Sequence, residues 1–126
     1  VQEEIGSRGA VTSSFGIAPD VGIAVDVTFA TDHPMMDGAE KREGKVELGG
    51  GPVLSRGANI NPVLYEHLLK TAKAQKIPVQ IVADGRATPT DADTGEIVST
   101  DDLDRTVELL AQAIAAMKPG QRWIPF

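Results

Sequence analysis

Residues 61–83 read Asn-Pro-Val-Leu-Tyr-Glu-His-Leu-Leu-Lys-Thr-Ala-Lys-Ala-Gln-Lys-Ile-Pro-Val-Gln-Ile-Val-Ala, and their pattern decides the fold. Asn61 offers a side-chain acceptor for orphan helix N–H groups, and Pro62 suits a first helical position where no N–H is needed. Leu64, Leu68 and Ala72 recur every four residues, so the spacing predicts a helix ending near Gln75 with one apolar face laid on a sheet. Ile77 to Ala83 follows as a short apolar run with Pro78 at its start, which predicts a buried strand.

The same reading extends in both directions. Upstream, Gly49-Gly50-Gly51-Pro52 marks a turn that needs positive φ, and Pro52 to Ser55 resumes extended structure. Thr31 to Lys45 is polar and broken by Pro and Gly, so it reads as a loop. Val21 to Ala30 is apolar and β-branched without helical period, which predicts a central buried strand. Ala10 to Ile17 predicts a short helix broken at Ala18-Pro19-Asp20. Downstream, Ser99-Thr100-Asp101-Asp102 is a helix start with acids in the first turn. Leu103, Val107, Leu110, Ile114 and Met117 then form an amphipathic stripe ended by Lys118-Pro119-Gly120. Strand, helix, strand and helix in alternation indicate an α/β fold, a sandwich around a mixed, largely parallel sheet.

A chain of 126 residues with 41% hydrophobic and 24% charged side chains has an ordinary globular composition. Its net charge of -6 provides no basic stripe for phosphates and argues against nucleic acid. The longest apolar stretch, Val21 to Ala30, is interrupted by Asp26 and is far too short to span a membrane. Without cysteine there are no disulfides, thiolate metal sites or Cys nucleophiles. The sequence starts at Val1 rather than Met, which reads as a trimmed start, and cytoplasm is the expected location.

Chemistry is concentrated in carboxylates. Glu3 and Glu4 are adjacent, and neighbouring carboxylates repel unless a proton or a metal neutralises one of them. Asp26 places a charge inside the run Gly22-Ile23-Ala24-Val25-Asp26-Val27-Thr28. A buried carboxylate needs a partner, either a divalent cation or backbone N–H groups at a strand end.

In order along the chain stand Gln2-Glu3-Glu4-Ile5-Gly6-x-Arg8-Gly9-Ala10, Pro19-Asp20, Val25-Asp26-Val27-Thr28, Asp32-x-Pro34, Leu48-Gly49-Gly50-Gly51-Pro52, Ile77-Pro78-x-Gln80 and Thr90-Asp91-Ala92. Together they resemble the tetrahedral (TET) dinuclear metallo-aminopeptidases, a family whose members are called glutamyl or deblocking aminopeptidases and sometimes endoglucanases. The resemblance covers the C-terminal portion of such an enzyme. It implies a partial catalytic domain over residues 1–126, a three-layer sandwich of the zinc-exopeptidase kind, with the lid or dimerisation insert and the N-terminal part lying outside it.

The resemblance further implies hydrolysis of N-terminal residues from short peptides through a metal-bridging hydroxide. Glu3 would be the general acid/base, Glu4 and Asp26 ligands of two divalent ions, zinc or cobalt, and Gly49, Gly50 and Gly51 a side-chain-free wall of the substrate cleft. Separate roles for Glu3 and Glu4 make chemical sense, because a carboxylate bound to a cation is a poor base. Family members associate as dimers that build a twelve-subunit shell. We expect the Thr31–Lys45 loop to order at a subunit contact through Met35 and Met36, whose flexible side chains suit an adaptable surface. His33 is expected to be no ligand, His67 a surface or helix-packing residue, and Asp91 structural.

Two histidines and a bridging aspartate of the family pattern have no counterpart here. The first histidine and the aspartate would precede Val1, and Asp93-Thr94-Gly95-Glu96-Ile97 stands where the last histidine's segment would be. The alternative expectation is therefore a non-catalytic fragment or pseudo-enzyme acting only in self-association, since a zinc pair is poorly held by two carboxylates. Cellulase chemistry would need carboxylates across a sugar cleft, which adjacent Glu3 and Glu4 do not supply.

Overall fold

The computed structural model describes residues 5–32, 38, 40–41, 44–58, 60–83 and 99–124. The chain divides into two compact units, Val1–Val27 with Ala87–Glu96, and Thr28–Arg86 with Ile97–Phe126. In the described residues the order is α1 (Arg8–Ile17), β1 (Val53–Arg56), α2 (Pro62–Gln75), β2 (Gln80–Ala83) and α3 (Thr100–Ala115).

The second unit holds a β-α-β motif. β1 and β2 pair in parallel, Val53 opposite Gln80 and Arg56 opposite Ala83, which requires the crossover that α2 supplies. Capping of α2 follows the sequence: the Asn61 side chain accepts from the Val63 and Leu64 N–H groups, and Pro62 opens the helix. At its other end Lys76 adopts φ 58, and its N–H returns to the Ala72 carbonyl. The Ile77 N–H donates to the same carbonyl at 2.9 Å, and the Ile77 side chain is buried beside Leu68 and Ala72. That hydrophobic closure holds a lysine in a conformation that glycine usually fills.

Leu68, Ala72, Ile77, Leu109 and Ala113 form the core, flanked by Leu54, Leu64, Val79 and Leu110. Leu109 is 1% exposed and Ala113 0%. His67 packs between the helices as expected: its Nε2 lies 2.8 Å from the Ala113 carbonyl, so the proton sits on Nε2, and its ring meets Trp123 edge-on at 5.4 Å.

The buried side of α3 is offset from the sequence stripe. Leu103, Val107 and Ile114 are exposed, while Leu109 and Ala113 are buried, flanked by half-buried Asp102, Arg105 and Thr106. Hydrophobic periodicity found an apolar face, but the inward face also carries polar residues that bind backbone elsewhere in the unit.

The expected central strand at Val21 to Ala30 is also corrected. These residues make no ladder among the described residues, and Val25, Val27 and Phe29 are exposed. β-branched composition reports what a strand would bury, but a strand also needs a partner edge. In the first unit α1 is likewise uncovered, with Phe15 91% exposed. Of the Thr31–Lys45 loop, Glu40 and Lys41 are helical, and the Gly44 N–H donates to the Glu40 carbonyl. The loop is closed at its base, where Thr31 N–H meets the Val46 carbonyl at 2.7 Å and Val46 N–H meets the Thr31 hydroxyl at 2.9 Å. His33, Met35 and Met36 lie outside the described residues.

Candidate functional site

Glu3 and Glu4, like Asp91, lie outside the described residues. Asp26 belongs to the first unit. The sequence places it in a buried strand, whereas it is exposed. Its Oδ1 accepts from the Val27 N–H at 2.8 Å, and Oδ2 has no hydrogen-bond partner among the described residues. A carboxylate oxygen is a donor type that suits a divalent ion. No group of three or more His, Cys, Asp or Glu gathers among the described residues, so Asp26 is the single expected ligand that can be placed.

Gly49, Gly50 and Gly51 belong to the second unit. Each answers a separate steric demand. Gly49 and Gly51 take φ 82 and 96, where side chains are disfavoured. A Cβ at Gly50 would lie 2.6–2.8 Å from the Gln80 carboxamide, and one at Gly51 would collide with the Pro78 carbonyl.

Every amide of this turn is satisfied from within the unit. Gly49 and Gly51 donate to the two carboxylate oxygens of Asp102 at 2.7 and 2.8 Å. Gly50 donates to the Glu47 carbonyl at 3.0 Å, and Leu48 to Asp32 at 3.2 Å. Arg105 bonds the Gly49 carbonyl at 2.7 Å and Asp102 at 3.2 Å. Gln80 accepts from the Glu47 N–H and donates to the Glu47 and Gly51 carbonyls.

The expectation that Gly49, Gly50 and Gly51 line a substrate cleft concerns a surface that this arrangement leaves without free N–H donors. The turn immediately precedes β1 and rests against the start of β2, so it lies at the amino end of the parallel pair. With all four N–H groups committed, the turn has no donor left for a peptide carbonyl, and its glycines permit close packing against Pro78 and Gln80.

At the carboxyl end of β1 the surface is hollow instead. A cavity of about 300 Å³ is lined by Arg56, Gly57, Ala58, Ile60, Tyr65 and Glu66, among others. The Arg56 guanidinium lies over the Tyr65 ring, 6.0 Å from its centre, and Tyr65 is buried.

The sequence reading missed Asp102, Arg105, Arg56 and Tyr65 as site-shaping residues. Asp102 read as a helix-dipole acid, since nothing in local pattern reveals a partner 53 residues away. Gln80 did leave a signal, being the one polar residue in Ile77-Pro78-Val79-Gln80-Ile81-Val82-Ala83.

The chain is similar to known aminopeptidases along most of its length. A family model described as M42 glutamyl aminopeptidase matches residues 1–109. A lysyl aminopeptidase of Pyrococcus furiosus is 48% identical over 99 residues, 77% of this chain and 27% of that protein. A putative aminopeptidase of Acetivibrio thermocellus is 42% identical over 84 residues, 64% of this chain and 24% of that protein. The crystal structure of a TET aminopeptidase from the marine sediment archaeon Thaumarchaeota archaeon SCGC AB-539-E09 matches with a TM-score of 0.72 at 26% identity, covering 94% of this chain and 39% of that one. The chain thus spans about a quarter of the length of the curated relatives it matches. With its parallel β-α-β motif, it has the expected α/β fold, and it belongs to the M42 glutamyl aminopeptidase family.

Proposed function

We propose that this chain is part of a metal-dependent aminopeptidase that removes N-terminal residues from short peptides. The observation that carries the reading is the family match over residues 1–109, which includes Glu3, Glu4 and Asp26 in one sequence order. Glu4 and Asp26 would hold divalent ions, zinc or cobalt, together with ligands from the remainder of the enzyme. When bound, such ions supply Lewis acidity and lower the pKa of the attacking water. Glu3 would serve as the general acid/base, taking up a proton from the attacking water and returning it to the leaving amine. The Val27 N–H, which donates to Asp26 Oδ1, would help to orient the carboxylate for ligation. Cytoplasmic location and association of subunits into dimers and larger shells belong to the same proposal.

The test is hydrolysis of aminoacyl-nitroanilides by the full-length enzyme with added cobalt or zinc. Absence of any EDTA-sensitive hydrolysis would sink the reading. Glu3→Gln is expected to retain the metal and lose turnover by roughly two to four orders of magnitude, the scale for a positioned acid/base. Metal analysis of Glu3→Gln beside Glu4→Ala and Asp26→Ala checks the division of roles: only the latter two should lose metal.

A further inference from the structure

We draw no further inference here: the strongest candidate, the exposed apolar stripe of Leu103, Val107 and Ile114 along α3 beside the core of the second unit, carries nothing because nothing among the described residues shows what covers it.

Discussion

The two ends of the β1–β2 pair contrast in how their polar groups are spent. At the amino end, Leu48 to Gly51 is closed by Asp32, Asp102, Arg105 and Gln80, with each N–H committed. At the carboxyl end Arg56, Tyr65 and Glu66 surround a hollow of about 300 Å³. Glycine-rich sequence usually draws attention as a binding loop, yet here its backbone is already used by the protein's own side chains. The carboxyl end makes fewer such internal bonds among the described residues.

Both ends hang on one core, so the largest expected effect comes from removing it. Leu109→Ala should cost about 2–5 kcal/mol through lost burial and a residual cavity, whereas Leu103→Ala, on the exposed side of α3, should stay within about 0.5 kcal/mol. Denaturant unfolding of the two variants checks the offset of the buried face; equal losses would restore the stripe read from periodicity. Next comes Asp102→Ala, which orphans the Gly49 and Gly51 amides and should cost about 1–3 kcal/mol. If the amino end is purely structural, peptide KM of the folded enzyme will not move, and a large KM change would break the contrast.

At the carboxyl end Asn61→Ala removes a cap and the contact to the Trp123 carbonyl, with an expected loss of about 1 kcal/mol by thermal unfolding. The smallest stability effect belongs to Arg56→Gln, within about 0.5 kcal/mol, since its side chain is exposed and faces a hollow. A clear drop in melting temperature there would assign Arg56 to the scaffold and remove the asymmetry.

How much of this was legible in the sequence follows from the range of each interaction. The start of α2 was readable because Asn61 and Pro62 act on neighbours within three residues, and its end from where the Leu64, Leu68 and Ala72 spacing stops before Ile77-Pro78. β1 and β2 were readable because Gly51-Pro52 and Ile77-Pro78 punctuate short apolar runs. The buried face of α3 was not, since Asp102 and Arg105 turn inward to reach a turn more than 50 residues away, and hydropathy scores them as solvent-facing. Val21 to Ala30 failed for the converse reason: its side chains suit a sheet interior, but composition carries no information about a partner edge. The carboxylate pair Glu3-Glu4 and Asp26 was recognisable only as part of an ordered series of motifs, because two or three acids alone do not specify a metal centre.

The Asp102 clamp also sets an order of events during synthesis. Gly49 leaves the ribosome 53 residues ahead of the aspartate that fixes it, which at about 5–20 residues per second is an interval of roughly 3–10 s. Throughout that interval two amides of the triple-glycine turn lack their protein acceptor, while β1, α2 and β2 emerge and become able to form. Nascent chains arrested before Thr100 should therefore exchange the Gly49 and Gly51 amides freely and protect them only once α3 has emerged, making the last helix the step that sets the turn.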